Sequence, residues 1–402
     1  MFIMFNPEQQ RIPIKVWLPD TSYLDQTCLQ QALNLANLPF ATHVCLMPDA
    51  HQGFGMPIGG VLATDGYLIP NAVGVDIGCG VCYVQTDLKV ATLTPLFQPV
   101  VTEILKSIPL GFKHHSKPQP VRAIEQFQNK SDCRQLVPEL KAGRYQIGTL
   151  GGGNHFIELQ KDEEGFLGVM VHTGSRNFGY KIAQYFNRKA KKLNQKHPVY
   201  VNPKWDLAFL PADSHEGQAY LEWMTLALQF AQENRWTIQE KVLTIFATLL
   251  PQYTDIQSFK RTLEVDSHHN YVALEQHFSQ KLWVHRKGAI RVRKGELGLI
   301  PGAMGAHSYV VQGIGNPESL YSCSHGAGRK MGRREAAQTF SAQEVQQDLQ
   351  KQGIIVGTKN PQGIVDEYRK AYKDIDFVLQ NELDLVTPIK KLQTIAVVKG
   401  SD

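Results

Sequence analysis

The sequence predicts an α+β fold in a single large domain, residues 1–402. Short β-type runs and helical patterns follow one another without the regular strand–helix–strand rhythm of a doubly wound sheet. Glycines are gathered in clusters at residues 53–60, 74–80, 148–153, 288–305 and 326–332, each flanked by a short β-type run such as 59–63, 80–86 or 168–172. No Pro/Ser-rich linker, internal repeat or low-complexity tract divides the chain. Glycine-rich loops between strands let backbone approach a ligand closely, so the clusters read as walls of one site.

Helical patterns lie between the clusters. Residues 92–107 form the first. Residues 178–194 are amphipathic and end in a basic run at Arg188, Lys189, Lys191 and Lys192. The longest covers about residues 214–250, with Leu221, Met224, Leu228 and Phe230 near helical spacing. Its length suggests a bend near Asn234, and Pro251 is expected to stop it. This helix reads as scaffold. Residues 341–352 and 373–383 complete the helices, and 393–399 read as a strand.

The chain has 402 residues, 43% hydrophobic and 20% charged, which is the composition of a soluble globular protein able to bury a large core. A net charge of +5 is too mild to identify a nucleic-acid binder by itself. No apolar run long enough to span a membrane occurs. The N-terminal stretch lacks the basic and apolar regions of a secretory signal. Six scattered cysteines in a chain of this size argue against a disulfide framework, and a cytoplasmic, reducing setting is expected.

Asp76 and Cys79 stand between glycines in residues 74–80, offering a hard carboxylate and a soft thiolate on one tight turn. A turn-forming Asp with a small buried Cys would look the same. Cys82 completes a Cys-x-x-Cys, but strand alternation would send the two thiols to opposite faces, so Cys82 is assigned to the core. His155 follows three glycines, His172 ends a hydrophobic strand, and His269 follows the 263–267 run. Each alone is an ordinary histidine. Together with Asp76 and Cys79, all beside turns or strand ends, they read as a metal cluster. Ligand softness alone leaves zinc, iron and manganese open, and two ions sharing the thiolate are compatible with the ligand count.

Residues 322–329 deliver His325 into a Gly-x-Gly turn followed by basic residues and a helix. Neutral imidazole is a competent nucleophile toward phosphorus, and the backbone N–H groups of such a turn bind phosphate. A capping histidine in a generic turn is the plain alternative. Residues 301–308 form a second small-residue loop that fits beside a flat base. Asp49 and His51 offer an acid, a base or support for a metal ligand. Residues 281–294 read as a basic hairpin whose Lys287, Arg291 and Arg293 share one face toward a polyanion, or as a charged edge strand.

At this point the chain resembles the RtcB-type RNA-splicing ligases. The matching stretches are residues 47–60, 73–80, 148–159, 171–176, 268–271, 286–289, 301–308, 323–329, 366–376 and 399–400, in order along nearly the whole length. The resemblance implies a family-specific fold with mixed sheets and helices around a deep cleft holding two manganese ions. Asp76, Cys79, His155, His172 and His269 match the metal ligands, with Cys79 bridging. His325 matches the guanylylated histidine and Asp49 an acidic residue near it. Asn154, Glu158, Asn270, Pro301, Gly302, Ala303, Met304, Ser308, Gly326, Ala327, Gly328 and Lys399 match guanylate contacts.

The implied activity joins RNA 2′,3′-cyclic phosphate or 3′-phosphate ends to 5′-hydroxyl ends, using GTP, through GMP held on His325, in tRNA splicing or RNA repair. An archease-like activator is an implied partner. Tyr368 and Arg369 replace a typical Ala-Pro turn. The residues after Arg176, together with His285 and His307, also depart from the pattern. These positions bear on substrate choice. A 3′-phosphate end-capping paralogue would share every motif, and a phosphoesterase-type metallohydrolase or a non-catalytic RNA binder are the competing classes.

Overall fold

The period-two pattern of residues 80–86 builds a strand, Gly80–Lys89, and the largest sheet forms around it. Val81 and Tyr83 point to one core, Cys82 and Val84 to another. Cys82 is therefore a buried core residue and Cys79 stands outside the strand. The computed structural model describes residues 1–400, and the last two residues of the expected 1–402 domain lie outside the described residues.

The fold is α+β with mixed sheets. The eight-stranded sheet runs in the order Arg261–His268, Gly80–Lys89, Phe166–Thr173, Phe156–Lys161, Val386–Lys399, Ser308–Gly313 and Leu297–Ile300, with Ile355–Gly357 parallel to Val386–Lys399. The six-stranded sheet runs Phe2–Met4, Ile14–Val16, Ala41–Phe54, Met56–Thr64, Gln280–Lys287 and Asn270–His277. One residue, His269, joins a strand of the first sheet to a strand of the second. The helices Phe97–Ser107 and His215–Tyr253 cover one face of the larger sheet through Val100, Ile104, Ile238, Val242 and Phe246.

The long helix corrects two expectations. It runs unbroken from His215 to Tyr253 and is capped by Ser214, whose Oγ accepts the Gly217 N–H at 3.0 Å. Asn234, expected to mark a bend, is instead buried. Its Oδ1 accepts from Gly148 N at 2.7 Å and Thr149 N at 3.2 Å, so its side chain anchors a loop and leaves the helix backbone intact. Pro251 lies inside the last turn and does not stop the helix at once; the helix ends two residues later, at Tyr253. The expected helix at 92–107 is shortened to Phe97–Ser107 behind a 3₁₀ turn at Thr94–Leu96, and the one at 373–383 to Ile375–Gln380. Among the described residues no helix is long and apolar enough to cross a membrane.

Candidate metal centre and nucleotide cavity

The metal-type residues converge because of sheet register. Gly80 pairs with Thr173 and with His268, and Phe156 pairs with both His172 and Lys399. Cys79 precedes Gly80, His155 precedes Phe156, and His269 follows His268. Antiparallel pairing therefore brings Cys79, His155, His172, His269 and Lys399 to one end of the sheet. Asp76 reaches them from the turn before Cys79.

Two ligand groups result, Asp76–Cys79–His155 and Cys79–His172–His269, each with its donor atoms within 4.8 Å of one another. Cys79 belongs to both. Its Sγ lies 3.4 Å from His155 Nε2 and 3.4 Å from His172 Nε2, and His155 Nε2 lies 3.1 Å from Asp76 Oδ2. His172 Nδ1 donates to the Asn154 carbonyl at 3.1 Å, which leaves Nε2 with its lone pair toward the sulfur. His269 Nδ1 is buried and has no hydrogen-bond partner among the described residues, as expected of a nitrogen reserved for a cation.

Close approach here depends on small residues. A Cβ at Gly174 would sit 2.3 Å from the Asp76 carboxylate, and one at Gly151 2.2 Å from His155 Nδ1. Burial, with neighbouring imidazoles, holds His172 and His269 well below the usual histidine range, so both are neutral donors. Burial lowers His155 too, against the pull of Asp76. Burial and the Asp76 charge push the Cys79 thiol up, so forming the thiolate calls for a local positive charge. A soft thiolate, neutral imidazoles and one carboxylate make a donor set that fits a transition metal.

The loops are laced together beneath the ligands. His269 N donates to Cys79 O at 2.8 Å, Asn270 Nδ2 to Asp76 O at 3.0 Å, and Gly288 N to Asn270 Oδ1 at 2.9 Å. Arg235, fully buried on the long helix, donates to Gly78 O at 2.8 Å and pairs with Asp266 at 2.6 Å. Sequence reading missed Arg235, because the long helix was read as scaffold and its partner Asp266 lies on a distant strand.

His325 adjoins this centre, its ring centroid 4.7 Å from that of His269. The short strand Ser322–Ser324 carries it, paired to Ala289–Arg291. Its Nδ1 lies 2.6 Å from Asp49 Oδ2, which also accepts the His325 N–H at 3.1 Å. Gly328, at φ 68, brings its Cα against the Asp49 backbone, where a Cβ would be 2.2 Å from Asp49 O. The turn offers fewer free amides than expected, since His325 N is taken by Asp49 and Ala327 N by Pro301 O.

A cavity of about 780 Å³ opens over His325. Of the expected guanylate positions, Asn154, Glu158, Pro301, Gly302, Ala303, Met304, Gly326, Ala327, Gly328 and Lys399 line it. Asn270 and Ser308 do not line it. Ser308 Oγ accepts from Gly302 N at 3.1 Å and so holds the 301–308 loop. Glu158 is buried. Burial pushes it up to about 7, against hydrogen bonds from Gln160 and Thr394 at 2.7 and 2.9 Å. Buried Glu367, between Arg329, Tyr372 and Lys399, forms a further wall that sequence reading had not assigned a role. Tyr368, one of the departures from the family pattern, is buried directly behind Met304.

The expected basic face at 281–294 does not form. The strand ends at Lys287, and Gly288, at φ 62, turns the chain. Lys287 is buried, its Nζ donating to Phe54 O and Asn71 O at 2.6 and 3.1 Å. Arg291 pairs with Glu296 at 2.7 Å, leaving Arg293 exposed.

Fold and site together define a cavity lined by His325, which buried Asp49 backs, beside residues that could hold a metal. The family model described as "tRNA-splicing ligase RtcB" matches residues 31–400. The chain is 36% identical to the RNA-splicing ligase RtcB of Escherichia coli K12, over 97% of this chain and 98% of the relative. It is 31% identical to the tRNA-splicing ligase RtcB of Nanoarchaeum equitans, over 98% and 96%. With the RNA-splicing ligase RtcB of Mycobacterium tuberculosis it shares 32%, over 92% and 100%. The chain belongs to the RtcB family.

Proposed function

We propose that this protein is a GTP-dependent RNA ligase that joins 2′,3′-cyclic phosphate or 3′-phosphate ends to 5′-hydroxyl ends through GMP carried on His325. The observation that carries this reading is His325 lining the cavity and paired at 2.6 Å with buried Asp49, beside the Asp76–Cys79–His155 and Cys79–His172–His269 groups. With Nδ1–H donated to Asp49, His325 keeps its lone pair on Nε2. That nitrogen attacks the α-phosphate of GTP, the N–P bond forms, and pyrophosphate leaves. Asp49 offsets the positive charge that develops on the ring. After the cyclic phosphate is opened by water to a 3′-phosphate, GMP passes from His325 to that phosphate. The 5′-hydroxyl then attacks, forming the phosphodiester and releasing GMP.

Asp76, Cys79, His155, His172 and His269 would hold two manganese ions. Such ions supply neutralisation of phosphate charge and orientation of in-line attack. Glu158, at the buried end of the cavity, is the acceptor that a guanine edge with its ring N–H and amino donors requires. Asn154, the 301–304 and 326–328 loops and Lys399 line the space for the rest of the nucleotide. Family membership supports RNA as the substrate and an archease-like activator as a partner. The cysteines, all free, suit the reducing cytoplasm.

Sealing of a 2′,3′-cyclic phosphate strand to a 5′-hydroxyl strand, assayed with manganese in the presence and absence of GTP, tests the reading. Joined product is expected only with GTP. Removal of the terminal phosphate without GTP, and no joining with it, would establish a metallohydrolase instead.

A further inference from the structure

The cavity extends beyond the nucleotide side. Past Asp49 it is walled by residues 22–27 and 50–53, which no part of the proposed reading uses. That wall is firmly built. Asp20 caps the turn Thr21–Tyr23 by accepting Ser22 N–H at 2.8 Å. Asp25 Oδ1 accepts Cys28 N–H at 2.7 Å, and its Oδ2 accepts Gln52 N–H at 3.1 Å, tying the turn to the strand that carries Asp49. Gln31 brackets Gly53 with hydrogen bonds of 2.8 and 3.1 Å. Lys373 Nζ donates to Pro48 O and Ala50 O, at 3.0 and 2.7 Å, on either side of Asp49.

On this wall Tyr23 is stacked against Phe377, with centroids 5.2 Å apart and planes at 20°. Tyr23 lines the cavity yet remains 45% exposed. An aromatic ring backed on one face and open elsewhere is costly to leave in water and is suited to stacking on a flat ring. Lys330, exposed and lining the same cavity, takes part in no ion pair among the described residues. An aromatic platform and an exposed cation on the lining of one cavity are the elements that hold single-stranded nucleic acid, base on ring and phosphate on ammonium.

We propose that this wall is the subsite for the terminal nucleobase of an RNA strand presented to His325, with Tyr23 as its stacking platform and Lys330 on the adjoining phosphate. This rests on the proposed ligase reading and adds to it where the RNA end sits. The two strands of the joining reaction share this chemistry, so the test carries both.

The full-length protein would be compared with Tyr23→Leu, which keeps apolar contact with Phe377, and with Tyr23→Trp. KM for RNA and kcat in sealing would be measured alongside the rate of GMP adduct formation from GTP alone. One substrate series lacks the base of the terminal nucleotide on the 3′-phosphate strand, the other on the 5′-hydroxyl strand. Tyr23→Leu is expected to raise KM for RNA about tenfold, while Tyr23→Trp stays within about twofold of wild type on the same stacking grounds. The abasic end that occupies the wall should lose the same factor with wild type and nothing further with Tyr23→Leu, which identifies the strand. An unchanged KM in Tyr23→Leu, or abasic and Tyr23→Leu losses that multiply for both strands, overturns the subsite. Loss of adduct formation in Tyr23→Leu shows that the wall serves the nucleotide pocket and also overturns it. Absence of any adduct in wild type defeats the ligase reading itself, a distinguishable failure.

Discussion

Asp49 Oδ2 accepts both the ring Nδ1–H and the backbone N–H of His325, at 2.6 and 3.1 Å. Two bonds from one buried oxygen fix ring rotation and tautomer together, and the carboxylate charge faces the cation that forms when Nε2 is phosphorylated. Asp49→Asn keeps the size but removes the charge. Adduct formation from GTP should slow about 100-fold, the scale of a lost acid–base partner. Quenched time courses with labelled GTP check this, and a rate within threefold of wild type contradicts it.

Cys79 belongs to both ligand groups, whereas His155 belongs to one. Purified wild type loaded with manganese should therefore retain two ions per chain, His155→Ala one, and Cys79→Ala fewer than either. Elemental analysis after desalting reads the stoichiometry. Equal losses in the two variants would contradict a shared thiolate.

Glu382 is fully buried behind His325, accepting Ser324 N–H at 2.9 Å, with Ser324 Oγ on its other oxygen. Burial raises it from 4.5 to about 8. A carboxyl raised in this way keeps its proton in the fold while the unfolded chain ionises. Its contribution therefore erodes stability as pH climbs from about 4.5 to about 8, and the loss is complete above that window. Glu382→Gln, isosteric with the protonated form, removes the dependence. Relative to wild type, the variant should gain on the order of 2–4 kcal/mol between pH 5 and pH 8. Urea unfolding at the two pH values measures it, and a pH-independent difference would sink the assignment.

Arg235 pairs with Asp266 in the interior and ties the long helix to Gly78 O beside Cys79. Removing one partner of a buried pair strands the other, so Arg235→Met should cost about 3–5 kcal/mol. Denaturant unfolding checks the figure. A loss below about 1 kcal/mol, the scale of an exposed pair, would mean that Asp266 finds water instead.

Much of the site was legible because its residue types are unusual beside glycine turns. Asp76, Cys79, His155, His172 and His269 each flank a strand end, and strand register brings such ends together. Cys82 could be separated from Cys79 by alternation alone. Periodicity failed where a turn interrupts it. Lys287 and Arg291 look like one face until Gly288 redirects the chain and buries Lys287. A bend near Asn234 was expected from the helix's length alone, and local sequence does not show the loop amides that its side chain satisfies. The place of Tyr23 was invisible, since residues 22–27 meet the strand after Asp49 and Phe377 only through tertiary packing.

The most direct test of the central claim is to incubate the protein with manganese and α-labelled GTP, then map the labelled residue. A single acid-labile, base-stable GMP adduct on His325, absent in His325→Ala, is predicted. Equal labelling of His325→Ala, or an adduct mapped to another residue, would contradict the account.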